Sequence, residues 1–127
     1  MATVELDQAS FQSAIQADKI LIVDFWAPWC GPCRNFAPVY ERASEQHEDI
    51  TFGKINTEEQ QELAAAMNIR SIPTLMVFRE QVMLFNQAGA LPASHLEDLI
   101  SQVKELDMAQ VHAEIAKQSS QADGQAG

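Results

Sequence analysis

The chain of 127 residues has few basic residues, few glycines and no long apolar run. Its 8 Lys and Arg stand against 18 Asp and Glu, which gives a formal net charge of −10. A protein of that charge is repelled by phosphate backbones and anionic lipids, so we expect no nucleic acid and no membrane as partner. No apolar run reaches the ~18–20 residues that a membrane-spanning helix needs. The 5 glycines form no phosphate-binding loop, which predicts that no nucleotide cofactor is bound.

The amino-terminal residues lack the features of a secretory signal. Met1 to Asp7 contain no basic residue and no apolar run, so we expect a cytoplasmic protein. The hydrophobic fraction of 46% is typical of a globular chain, and the length suits one ordinary domain.

Cysteine is scarce as well. Cys30 and Cys33 are too few and too close together for the disulfide framework of a small secreted protein, and their spacing is typical of redox chemistry or of half a metal site. A zinc site needs four ligands. Because His47, His95 and His112 fall on three different predicted helices, we favour the redox interpretation and expect no metal.

Apolar periodicity predicts alternating strands and helices. The segment Ile20–Ala27 is apolar on both faces, which is typical of a central strand. Other strands are expected at Thr3–Leu6, Ile50–Asn56, Ile72–Phe78 and Val82–Ala88. Helices are expected at Ala9–Ala17, Pro32–His47, Gln60–Met67 (opened by a capping box at Thr57) and from about Pro92 to Leu106. This order predicts an α/β fold with a central mixed five-stranded sheet flanked by about four helices.

A break is expected at Asp107, which divides the chain into a domain of residues 1–106 and an extension of residues 107–127. Met108, Val111 and Ile115 predict a short extra helix to about residue 117. From Gln118 onward the chain contains only Ser, Gln, Ala, Asp and Gly, so we expect a disordered tail there.

The chemistry is predicted where a buried strand meets the start of a helix. Free backbone N–H groups and the positive end of the helix dipole favour the thiolate of Cys30, whose pKa we therefore expect below that of a free thiol. The thiolate is the attacking species in disulfide exchange. Cys33 lies one turn further along the same face, close enough to displace a mixed disulfide.

From Thr3 to about Leu106 the sequence resembles thioredoxins. The resemblance is carried by Trp29-Cys30-Gly31-Pro32-Cys33, together with Asp24, Pro38, Lys54, Ile72-Pro73-Thr74 and Gly89-Ala90. It implies the thioredoxin fold and a general protein-disulfide reductase, in which Cys30 attacks, Cys33 resolves, and the pair closes into a redox disulfide. It also implies a monomer without a bound cofactor. Its partners would be disulfide-containing proteins and a thioredoxin reductase that uses NADPH.

The resemblance assigns two polar residues near the thiols. Asp24 matches the buried acid held to assist proton transfer at the resolving cysteine, and a carboxyl in an apolar strand should have a raised pKa that suits this role. The alternative is a hydrogen-bonded core carboxylate. Lys54 matches the lysine close to that acid, and the alternative is a side chain that merely extends to solvent from a strand end.

The resemblance also implies a substrate-binding surface. In the family the proline opposite the cysteines is cis, which would place a cis bond at Ile72–Pro73 and free the backbone of Ile72 to pair with an extended substrate. The implied substrate-binding residues are Trp29, Gly31, Pro32, Ile72, Pro73, Gly89 and Ala90.

The sequence departs from the family at the turn Arg79-Glu80-Gln81, which lacks glycine although a turn with positive φ favours it. Two other functions stay open. An oxidase or isomerase is disfavoured by Gly31-Pro32 between the cysteines. A binding module or chaperone would use the apolar surface and the extension, with redox chemistry secondary.

Overall fold

Five strands and five helices occupy residues 2–126 in the computed structural model, which describes side chains for residues 2–119. The strands are β1 (Thr3–Glu5), β2 (Ile20–Trp26), β3 (Ile50–Asn56), β4 (Thr74–Arg79) and β5 (Val82–Ala88). The helices are α1 (Gln8–Gln16), α2 (Gly31–Gln46), α3 (Gln61–Ala66), α4 (Ala93–Glu105) and α5 (Met108–Ala126). The predicted α/β fold with a mixed five-stranded sheet is confirmed.

The strands are arranged in the order β1-β3-β2-β4-β5. β2 pairs in parallel with β3 and antiparallel with β4, so it lies at the centre of the sheet. Its residues from Leu21 to Phe25 are all buried, as expected for a strand that is covered on both faces. The carboxyl end of β2 leads directly into the segment that holds both cysteines.

Helices cover both faces of the sheet. On one face, α2 and α4 pack over the buried side chains of Ile22, Phe52 and Leu75. On the other, the aromatic ring of Phe11 in α1 packs against Phe25 and Phe78. α2 is continuous through Pro38, and its first turn follows the carboxyl end of β2, where the cysteines lie.

The start of α3 differs from the prediction. The helix begins at Gln61, and Gln60 caps it without a side-chain hydrogen bond. Thr57, the predicted capping residue, donates its hydroxyl to the carbonyl oxygen of Trp26 at 3.0 Å. The predicted capping box was wrong because a contact between distant segments took the Thr57 side chain.

The extension is more helical than predicted. A break between α4 and α5 occurs at Leu106 and Asp107, as expected, but α5 continues to Ala126 rather than ending near residue 117. The expected disordered segment from Gln118 is therefore corrected to helix up to Ala126, and Gly127 lies outside the described residues. The segment has no proline, and its alanines and glutamines have favourable helix propensity, so the backbone continues without a core to bury.

The extension is attached to the turn between β4 and β5. Met108 at the start of α5 is buried, and His112 contacts the carboxylate of Glu80 at 2.9 Å. Across residues 2–126 no helix is long and apolar enough to cross a membrane.

Candidate redox site

The cysteines lie where β2 gives way to α2. Cys30 is the N-cap of α2, and Pro32 occupies the first turn, where its missing N–H does no harm. The backbone N–H of Cys33 donates to Cys30 Sγ at 3.2 Å. A helix N-terminus thus presents both a direct donor and its dipole to this sulfur, and both stabilise a negative charge there.

Cys30 and Cys33 form a disulfide, with their Cα atoms 5.2 Å apart. In this oxidised form the two residues are 4% and 3% exposed, so neither is markedly more accessible than the other. Together with Ala27 they form a small buried cluster, against which Trp26 and Ile72 pack.

The segment before β4 lies against the disulfide. The Ile72–Pro73 peptide bond is cis, as the resemblance implied, and the carbonyl oxygen of Ile72 lies 3.8 Å from Cys30 Sγ. The backbone N–H of Gly89 donates to the carbonyl of Pro73 at 2.8 Å, which brings the end of β5 to the same place. Gly89 has a φ of 108°, a conformation that glycine adopts readily.

The other predicted surface residues flank this cluster. Trp29 is 63% exposed, an unusual position for so large an apolar side chain. Pro32 and Ala90 are also exposed, and Gly31 is half-buried. Direct contacts therefore join the disulfide to Ile72, and Pro73 to Gly89, while Trp29 and Ala90 are open to solvent.

Asp24 is a buried carboxyl in the central strand. It is 1% exposed, and neither of its carboxylate oxygens has a hydrogen-bond partner among the described residues. This burial raises the pKa of Asp24 to about 7, although Lys54 acts to lower it and Glu5 acts to raise it further. A carboxyl with that pKa can both take and give a proton near neutral pH.

Lys54 is the register partner of Asp24 on β3. Its ammonium lies 4.4 Å from the centroid of the Trp26 ring, a cation–π contact, and forms no ion pair with any carboxylate in the described part of the chain. The sequence reasoning therefore placed Lys54 correctly beside Asp24, but its closest partner is an aromatic face.

Sequence reasoning missed Glu5. The residue ends β1 and pairs in register with Lys54, so it occupies the same row across the sheet as Asp24. The alternation Thr3–Glu5 in a short amphipathic strand shows which face Glu5 takes, but not its register against β3. Among the described residues no group of three His, Cys, Asp or Glu side chains is placed to hold a metal ion.

Comparisons with known proteins agree on one family. The family model described as Thioredoxin matches residues 2–120. A protein named putative thioredoxin 2, from Streptomyces coelicolor, is 50% identical over 121 residues, which cover 95% of this chain and 90% of the relative. A thioredoxin from Alicyclobacillus acidocaldarius is 45% identical over 103 residues, or 80% of this chain and 98% of the relative.

Solved structures give the same result. A mutant thioredoxin from Halobacterium salinarum superposes with a TM-score of 0.76 at 32% identity, over 83% of this chain and 93% of the other. A thioredoxin from Plasmodium falciparum superposes with a TM-score of 0.72 at 36% identity, over 79% of this chain and 97% of the other.

Proposed function

This chain belongs to the thioredoxin family and is a protein-disulfide reductase, and from that premise we propose how its residues share the reaction. The observation that carries the assignment is the Cys30–Cys33 disulfide at the N-terminus of α2, beside the carbonyl of Ile72. We take the closed disulfide as the product state of one reductive cycle.

The reduced protein starts the cycle with the thiolate of Cys30. The Cys33 N–H and the helix dipole stabilise this thiolate, which attacks one sulfur of a substrate disulfide. A mixed disulfide forms, and the other substrate sulfur leaves as a thiolate. Cys33 then attacks Cys30 Sγ, which closes the protein disulfide and releases the second substrate thiolate. Two electrons pass from the protein to the substrate.

Asp24 serves as the proton acceptor for the resolving step. The thiol of Cys33 must lose its proton before it attacks, and a buried carboxylate whose conjugate acid has a pKa of about 7 is a suitable base. Lys54 supplies the positive charge that makes ionisation of this buried carboxyl less unfavourable. Both residues thus act at the second half of the reaction.

Substrates dock on the apolar surface around the disulfide. The proposed contact residues are Trp29, Gly31, Pro32, Ile72, Pro73, Gly89 and Ala90. Exposed Trp29 offers a large apolar contact, and the backbone of Ile72 pairs with an extended segment of the substrate.

We also propose a domain organisation, a location and a source of electrons for this protein. Residues 1–106 form the thioredoxin domain and residues 107–127 form the C-terminal extension. The protein acts as a monomeric electron carrier in the cytoplasm. A thioredoxin reductase returns the disulfide to the dithiol with electrons from NADPH, so this chain binds no cofactor itself.

The direct test is NADPH-dependent reduction of a disulfide-bonded test protein in the presence of a thioredoxin reductase. We expect turnover with the wild-type chain, and a redox potential near the −270 mV of thioredoxins, roughly. Absence of turnover, or a potential of about −120 to −180 mV, would instead favour an oxidant or a binding module.

Two matched variants test which cysteine attacks the substrate and which resolves the mixed disulfide. Cys33→Ser retains the attacking thiol, so it should accumulate a mixed disulfide with the substrate that dithiothreitol releases. Cys30→Ser removes the attacking thiol and should accumulate none. Equal trapping by both variants would contradict the assignment of Cys30 as the nucleophile.

A further inference from the structure

Glu5, Lys54 and Asp24 form one row across three neighbouring strands. Glu5 in β1 is the register partner of Lys54 in β3, and Lys54 is the register partner of Asp24 in β2. Register partners direct their side chains to the same face of a sheet. Thr3, two residues before Glu5, hydrogen-bonds to Glu41 of α2, so this is the face that α2 covers.

The row leads from the interior to solvent. Asp24 lies in the central strand and is almost fully buried, Lys54 is half-buried, and Glu5 is exposed on a strand at the edge of the sheet. A change at Glu5 can therefore alter the electrostatics of Asp24 without opening the core.

Lys54 lies between the two carboxylates in the row and forms an ion pair with neither. Its ammonium rests on the Trp26 ring instead. Both carboxylates therefore interact with the same ammonium group. An ionised Glu5 partly neutralises the effect of that positive charge on Asp24, and it also repels a negative charge on Asp24 directly.

The acid–base properties agree with this sharing. Partial burial raises the pKa of Glu5, Lys54 and the side chain of Trp26 act to lower it, and Glu59 in the loop before α3 acts to raise it. From α2, the hydroxyl of Tyr40 interacts electrostatically with Asp24, and the carboxylate of Glu41 accepts a hydrogen bond from Thr3 on the same face of the sheet. Tyr40 is uncharged, and the charged groups that shift the pKa of Asp24 are Lys54 and Glu5.

We propose that Glu5 is a positioning residue for the reductase reaction, whose negative charge, acting through Lys54, keeps the Asp24 carboxylate basic enough to accept the Cys33 proton. This inference rests on the proposed role of Asp24 as the proton acceptor. In the step concerned, the proton leaves Cys33 Sγ for a carboxylate oxygen of Asp24, and the S–H bonding pair remains on sulfur as the thiolate.

The test is a titration of the Asp24 side-chain carboxyl by ¹³C NMR in the oxidised protein. Two strand spacings separate Glu5 from Asp24 by about 10 Å, so Glu5→Gln should lower the Asp24 midpoint by roughly 0.3–1 pH unit. Glu5→Lys should lower it about twice as far, and Glu5→Asp should restore the wild-type value. Glu105→Gln, the same charge change at an exposed site on α4, is the matched control.

A Glu5→Gln midpoint equal to that of Glu105→Gln would overturn the proposal. The route through Lys54 is tested separately: in a Lys54→Gln background the effect of Glu5→Gln should shrink, and an undiminished shift would show that Lys54 is not the intermediary. If the variants unfold, the wild-type protein still decides, because the Asp24 resonance should show a second inflection at the Glu5 midpoint. A single inflection would count against the coupling.

Kinetics separates this inference from the proposed function. In the reductase assay, the acidic limb of the Glu5→Gln pH profile should move by the same amount and in the same direction as the Asp24 midpoint. If the midpoint moves while the profile stays in place, Glu5 tunes Asp24 but has no role in the reaction. If the wild-type chain reduces no disulfide at any pH, the proposed function itself fails, whatever the titration shows.

Discussion

The guanidinium of Arg79 donates a 2.7 Å hydrogen bond to the carbonyl oxygen of Val103, which ties the end of β4 to the last turn of α4. The same nitrogen lies 3.3 Å from the carbonyl oxygen of Leu106, at the junction between α4 and α5. The last carbonyls of a helix lack partners within the helix, so one side chain here satisfies groups that would otherwise depend on water.

Arg79→Gln should therefore lower the free energy of unfolding by about 1–2 kcal/mol, because a charge-assisted hydrogen bond to the helix end is lost. Urea unfolding followed by circular dichroism measures this. Arg70→Gln is the control, since Arg70 is exposed and its Nε lies 3.4 Å from the side chain of Asn68. An equal loss in both variants would show that Arg79 contributes only its surface charge.

In the turn after Arg79, one substitution should raise the free energy of unfolding rather than lower it. Glu80 and Gln81 have φ values of 53° and 67°, and the pairing of Arg79 with Val82 makes them a two-residue hairpin turn of type I′. A side chain at positive φ costs about 1–2 kcal/mol, while glycine loses more freedom on folding. Gln81→Gly should thus raise stability by about 0.5–1 kcal/mol in thermal or urea unfolding.

Gln81→Ala is the matched control, because alanine keeps the Cβ that makes positive φ unfavourable. It should leave stability within about 0.5 kcal/mol of the wild type. If alanine and glycine stabilise the chain equally, the gain does not come from the turn conformation.

Asp24→Asn should make the oxidised protein more stable at alkaline pH. The folded-state pKa of about 7 lies above the usual value of 3.8, so the folded chain binds the proton more tightly and loses stability as pH rises between these values. Between pH 5 and pH 8 the wild type should lose up to about 3 kcal/mol that the variant keeps. Unfolding free energies at the two pH values measure the difference, and parallel curves for both proteins would contradict it.

Tyr40→Phe should destabilise the chain by about 1–2 kcal/mol. The Tyr40 hydroxyl is fully buried and lies 2.7 Å from the carbonyl oxygen of Gly53 and 3.0 Å from that of Ile22, so it joins α2 to two strands. Phenylalanine fills the same space without the donor. Unfolding in urea, with Phe36→Leu as a packing control, separates the lost hydrogen bond from lost volume, and a Tyr40→Phe stability equal to wild type would contradict the prediction.

Most of the fold was predictable because local signals agreed with the tertiary structure. The apolar run from Ile20 identifies the central strand, and the Cys30–Cys33 motif with Pro32 identifies the start of α2. The family resemblance added the Ile72–Pro73 region, which lies 42 residues along the chain from Cys30 and has no local signal that links the two.

The errors arose where distant contacts or weak preferences decided the outcome. Thr57 has the spacing of a helix cap, but the Trp26 carbonyl competes for its hydroxyl. The tail after Gln118 lacks apolar residues for a core, yet helix propensity alone extends α5. Arg79 and Glu5 gave no signal, because their roles depend on strand register and on the position of α4, which only the folded chain defines.

β4 runs from the redox site at one end to the attachment point of the C-terminal extension at the other. The strand begins at Thr74, beside the cis bond that contacts the disulfide, and ends at Arg79, where Glu80 meets His112 of α5. Six residues of extended chain span roughly 17 Å. A fluorophore, an affinity surface or an electrode linker coupled at this junction would therefore stay clear of the surface around the disulfide.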